Sequence, residues 1–192
     1  IKIKNIYSNY EGANLSEIRN QYTKDLIIYF LLTVLVFILL AFSGIRLFEV
    51  FNLSMTITSA GGFIPTNFLS DILRSENQKL IFSFCMLIPF FNLYLIYNMF
   101  SGNRSLVSNQ EDFYLLILLL FILIIIYIFF KNFLEFNSIL FAVISSLSNI
   151  GLSLDYKFSN LSFLFLILAI IGGSSFSTSS GLKLIKLYTL FK

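Results

Sequence analysis

Gly172-Gly173-Ser174-Ser175-Phe176-Ser177-Thr178-Ser179-Ser180-Gly181, followed by Leu182 and Lys183, is the stretch on which the reading of the chain turns. It follows the apolar run Leu161 to Ile171 and precedes Leu182 to Phe191, so it interrupts what would otherwise be one hydrophobic span. Broken backbone at membrane depth leaves amides without partners, and it is tolerated only where protein or a water-filled cavity satisfies them. The run is therefore expected to point inward, toward a pathway. Two further breaks, Ser59-Ala60-Gly61-Gly62-Phe63 and Ser148-Asn149-Ile150-Gly151-Leu152, sit beside membrane segments in the same way.

Composition sets the class. A soluble domain carries about a quarter charged residues; this chain of 192 residues carries 12%, with 57% hydrophobic and 18% aromatic. Its mean hydropathy is +0.86. These values describe an all-α integral membrane protein. The single cysteine, Cys85, lies in an apolar stretch and is read as packing, which excludes an internal disulfide. With no histidine, imidazole metal sites and histidine catalysis are excluded, and no catalytic constellation is present, so no enzyme activity and no cofactor are expected. The net charge of +3 is small and carries orientation information rather than a nucleic-acid signal. Residues 1–25 lack the apolar core of a signal peptide, and without an initiator methionine the chain is expected to be a segment of something longer.

Along the chain, residues 1–25 read as a polar lead-in with an interfacial helix near its end. Leu26 to Phe42 is long enough to cross a hydrocarbon core of roughly 30 Å. Ile45 to Thr58 carries Arg46, Glu49 and Asn52 and is too short and polar to cross; it predicts a re-entrant helix that ends where Gly61, Gly62 and Pro65 forbid further helix. Asp71 to Lys79 is a charged connector, and Leu80 to Phe100 is a second span that Pro89 should kink. Pro89 and Asn92 read as a packed kink with a satisfied amide. Phe113 to Phe130 is a third span, Asn137 to Leu147 a second short helix, and Asp155 to Lys157 a second charged connector before the fourth, broken span. Span, re-entrant helix, glycine turn and span thus occur twice, in a repeat of about 90 residues. The expected divisions are 1–25 lead-in, 26–100 first unit, 101–112 loop and 113–192 second unit. Because the re-entrant segments do not cross, the termini and the 101–112 loop share one side. They carry Lys2, Lys4, Arg19, Lys24, Arg104, Lys183, Lys186 and Lys192, against Arg46, Arg74, Lys79, Lys131 and Lys157 opposite, which predicts a multi-pass protein of the cell membrane with cytoplasmic termini. Glu49 and Asp155 read as solvated rim charges, and the aromatics as lipid-facing filler and interface anchors.

Glycine at the tip of a re-entrant helix lets successive carbonyl oxygens face one axis, where they can replace the water shell of a monovalent cation. The candidates are Ser59, Ala60, Gly61 and Gly62, with a Ser59 or Thr58 hydroxyl, and Ser148, Asn149, Ile150 and Gly151 in the second unit.

Phe42-Ser43-Gly44-Ile45-Arg46-Leu47-Phe48-Glu49-Val50 running into Thr56-Ile57-Thr58-Ser59-Ala60-Gly61-Gly62-Phe63 resembles the second pore repeat of the Trk/Ktr/HKT potassium and sodium transporters, with its small-residue turn, short pore helix and T-G-G-F filter. Ile171 to Lys183 resembles their G-G-C-A-G-S-T-A-G-G-I-K intramembrane loop in the third repeat, and Ile144 to Ser153 stands where that repeat's filter belongs. The resemblance covers roughly residues 12 to 192. It implies repeated helix, pore loop, helix units and a pore of four such units, with K⁺, or Na⁺, as the transported ion held by filter carbonyls at Gly62 and Gly151. It also implies a gating loop of Gly172, Gly173, Ser174, Ser175, Ser177, Thr178, Ser179 and Gly181 with Lys183 beside it, and a cytoplasmic nucleotide-binding regulatory subunit. Two units cannot close a fourfold filter, so either the remaining repeats lie outside this segment or two copies assemble as a homodimer in the bilayer. The rival readings are a secondary transporter of another fold, whose broken helices bind substrate at the midplane, and a non-conducting membrane subunit or fragment.

Overall fold

The computed structural model describes residues 15–93, 110–130, 135–154 and 162–191. The charges at Lys2, Lys4, Arg104, Lys131, Lys157 and Lys192, the Asp155 to Lys157 connector and the far half of the Leu80 to Phe100 span lie outside them. Among the described residues every regular element is helical: α1 (Leu15–Phe42), α2 (Leu47–Ser59), a 3₁₀ turn (Leu69–Asp71), α3 (Glu76–Cys85), α4 (Gln110–Phe130), α5 (Phe136–Leu147), α6 (Ser162–Ile171) and α7 (Leu184–Phe191).

α1 is one continuous helix of 28 residues, about 42 Å long at 1.5 Å per residue. The described end of the polar lead-in therefore belongs to the first span and forms no separate interfacial helix, because no glycine or proline separates Leu15 from Phe42. It stops at Ser43-Gly44, where Gly44 takes φ 80°. Ile28, Leu32, Val36 and Leu40, four residues apart, form its buried stripe. Phe30, Ile38 and Phe42 face outward, as do Phe121, Ile124 and Ile128 on α4. Tyr22–Phe42 and Glu111–Phe130 are long and apolar enough to cross a bilayer.

The short helices occupy the interior. α2 packs on α1 and α5 on α4, while α3 packs against both α1 and α5 and so joins the two units. Phe82 of α3 stacks on Phe141 of α5 with ring centroids 5.7 Å apart, and both are fully buried. α5 buries residues on nearly every face, among them Ile139, Phe141, Val143, Ile144 and Leu147. Such a helix needs a surround of other helices rather than water.

α3 differs from its expected extent. It begins at Glu76, inside the charged connector, because Ser75 and Gln78 form a reciprocal capping box. Gln78 also donates to the Ser43 carbonyl (3.2 Å), tying this start to the turn after α1. The helix ends at Cys85 and continues as tight turns through Phe90. Cys85 is the residue whose carbonyl a proline at 89 can neither bond nor clear, four positions on. Pro89 thus ends the helix here rather than kinking it.

Candidate functional site

The two glycine turns share one construction. α2 ends with Ala60 in the left-handed region (φ 50°) and Gly62 there too (φ 70°); after α5, Asn149 (φ 57°) and Gly151 (φ 73°) repeat the pattern. Left-handed residues alternating with others turn successive carbonyls toward one side. The hydrogen bonds repeat in the same register. Thr56 Oγ1 donates to the Phe63 carbonyl (2.5 Å) and Ser145 Oγ to the Leu152 carbonyl (2.6 Å), each spanning the turn. Gly61 N bonds Thr56 O (3.0 Å), as Ile150 N bonds Ser145 O (3.2 Å). Ser59 Oγ donates back to Met55 O and Ser148 Oγ to Ile144 O, while Thr58 Oγ1 donates to Ser54 O. The hydroxyls proposed to face an ion are thus oriented by their own helices and keep only their acceptor side free.

The turns also meet. A methyl on Gly62 would sit 2.6 Å from the Ile150 carbonyl oxygen, so the first turn's glycine lies directly against the second turn's backbone.

Gly172 to Gly181 forms a closed loop whose neck is pinned to the helix it leaves. Leu182 N bonds Ile170 O (2.8 Å) and Lys183 N bonds Ile171 O (3.1 Å), satisfying the last carbonyls of α6 from the far side of the loop. At the neck the backbones touch: a methyl on Gly172 would fall 2.9 Å from Gly181 Cα, and one on Gly181 would fall 2.7 Å from Gly172 Cα. Within the loop Ser179 Oγ accepts from Gly173 N (2.9 Å) and pairs with Ser177 Oγ (2.9 Å). Lys183 Nζ donates to Ser177 Oγ (2.9 Å) and to the Ser179 carbonyl, so its ammonium is fixed to the loop.

Side chains and backbone from elsewhere hold the loop. Asn149, assigned from sequence only as a carbonyl donor, sends its amide Nδ2 to Ala169 O (2.9 Å) and Ser180 O (3.2 Å), linking the second turn to the loop's neck. The Pro89 break supplies two carbonyls and an amide: Ser174 N donates to Phe90 O (3.0 Å) and Ser179 N to Pro89 O (3.2 Å), while Leu93 N donates to the loop's Phe176 O (3.2 Å). Glu111 accepts from Ser175 N (3.1 Å) and Ser175 Oγ (3.0 Å), and Asp112 Oδ1 from Asn92 N (3.3 Å). Pro89 is therefore more than a packed kink: the break at it carries the loop's docking surface, and Asn92 ties that break to α4. Thr58, Pro89 and Thr178 line one narrow crevice between the first turn and the loop. Sequence reading did not single out Phe90, Glu111 or Asp112; the acidic pair opening an apolar helix was the available signal, and it marks helix starts in general.

No family model matches the chain. It is 30% identical over 169 residues to an uncharacterised cation transporter of Methanocaldococcus jannaschii, a match that covers 86% of this chain and 34% of that protein. Its fold is similar to the crystal structure of the potassium transporter TrkH from Vibrio parahaemolyticus, with TM-score 0.77, 20% identity and 94% of this chain covered. The match takes in 42% of that structure, so the chain spans about two fifths of TrkH and about a third of the archaeal relative. The all-α, TrkH-like membrane fold expected from the sequence is thereby borne out.

Proposed function

We propose that this chain, folded as a segment of TrkH, supplies two pore repeats of a membrane transporter for monovalent cations, with K⁺ as the transported ion. The observation that carries the reading is the meeting of two turns built alike. Gly62 lies against the Ile150 carbonyl, each turn has two left-handed residues in matching register, and each is braced by a hydroxyl-to-carbonyl bond across it. Carbonyls of Ser59 to Gly62 and Ser148 to Gly151 line part of the ion path in this proposal, and the remaining walls come from further repeats or a second copy. The Gly172 to Gly181 loop closes the path beneath the turns, with Lys183 holding it shut. The loop side faces the cytoplasm, where a nucleotide-binding subunit acts on it. A cation transporter as relative and a potassium transporter as fold neighbour support this reading over a transporter of organic substrates.

The test is cation uptake by the complete protein in a host deficient in potassium uptake. Gly62→Val and Gly151→Val should each abolish uptake of radioactive rubidium, since valine is strained at positive φ and, at residue 62, collides with Ile150. Normal uptake by correctly inserted variants would remove these glycines from the path.

A further inference from the structure

The first turn of α4 is a further point at which the two units are fastened together. Glu111 grips Ser175 by its amide and its hydroxyl. The next residue, Asp112, takes the Asn92 amide beyond Pro89, and Ser174 of the loop lies beside it. The loop itself is bonded to Pro89 and Phe90. Loop, break and helix start thus form a closed triangle, in which Glu111 clasps the loop with both carboxylate oxygens engaged. Asp112 and Ser174 face one another in this contact, and no third group bonds Asp112 Oδ2 or Ser174 Oγ, so helix start and loop depend on each other there. Lys183, which bonds the other flank of the loop, lies within electrostatic reach of Glu111 and of Lys186.

We propose that Glu111 is a positioning residue that latches the Gly172 to Gly181 loop in its docked state, and that displacing the first turn of α4 releases it. The loop's role as a gate rests on the function proposed above; the latch itself does not. Hydrogen bonds to a charged acceptor are the stronger class, and both of these run to a single serine. Their loss converts to roughly a tenfold or greater rise in the loop's open population.

The experiment uses the complete protein in liposomes with Cys85 replaced by alanine and Ser174→Cys as reporter, because residue 174 is fully buried in the docked loop. The rate of labelling by a small methanethiosulfonate reagent is read alongside rubidium flux. Glu111→Ala, Glu111→Gln and Ser175→Ala should each speed labelling, the first by about tenfold or more. Glu135→Ala, at the start of α5, should not. Glu111→Gln preserves volume and decides the matter if Glu111→Ala fails to reach the membrane. Unchanged labelling in the Glu111 variants overturns the latch whatever the flux does. Faster labelling with unchanged flux upholds the latch and overturns the loop's assignment as a gate.

Discussion

The two units agree at their turns and part company in the helices that follow. After the first turn, α3 ends at Cys85 ahead of a proline that removes a helical donor, and beyond it the carbonyls of Pro89 and Phe90 accept from the loop rather than from a helix. After the second, α6 is broken by a glycine and serine loop, which leaves amides at Ser174, Ser175 and Ser179 pointing away from any helix. The Pro89 break offers two carbonyls and the Leu93 amide, the loop two amides and the Phe176 carbonyl, and they are bonded to each other. Three main-chain bonds of each are made to the other, and Glu111 and Asp112 take further amides from both, which explains how both persist where water is scarce.

The comparison is broken most severely at Gly173. A methyl there would lie 2.5 Å from the Phe90 carbonyl, so Gly173→Val should separate loop from break and leave several buried groups unpaired. A loss of about 3 kcal/mol or more is expected from overpacking and orphaned bonds together, read as a fall in yield and melting temperature of purified protein. Pro89→Ala sharpens it. A restored helix would pair Pro89's carbonyl with Leu93's amide, and both now serve the loop, through Ser179 and Phe176. The helical gain of about 3 kcal/mol offsets about 1 kcal/mol for each of three loop bonds, so the melting temperature should barely move while the loop becomes accessible.

The smallest effect belongs to the opposite end of α3. Glu76 is held below the usual carboxylate range by its bond with Lys79 (2.6 Å) and then by Asn137 of α5 (2.7 Å). A carboxyl depressed in the folded state stabilises it above the ordinary carboxylate value, and that contribution disappears as pH falls through the folded value. The melting temperature should therefore decline more steeply on acidification in the parent than in Glu76→Gln. The difference should be slight because the Glu76 carboxylate is about half exposed and solvent screens the pair.

How much of this was legible follows from range. Turns at Gly62 and Gly151, the short helices before them and the repeat are local properties of backbone and hydropathy, and the sequence displays them directly. The break at Pro89 was visible, but its partner, more than eighty residues on, was not, because complementary donors and acceptors leave no periodicity. Glu111 and Asp112 were hidden for a different reason: acids suit any helix N-terminus, so their specific contacts with Ser175 and Asn92 cannot be told from capping. The continuation of α1 through the lead-in was missed because polar residues were weighed above the absence of a breaker.

The approach of Gly62 to the Ile150 carbonyl has a consequence for descent. Here the two units meet main chain against main chain, so selection acts on the ability to adopt a conformation rather than on the identity of the side chains. Ser-Ala-Gly-Gly-Phe and Ser-Asn-Ile-Gly-Leu can then hold corresponding paths with little in common besides the first residue and the second glycine. A constraint of that kind fixes the path of the backbone and leaves the residues on it free to vary.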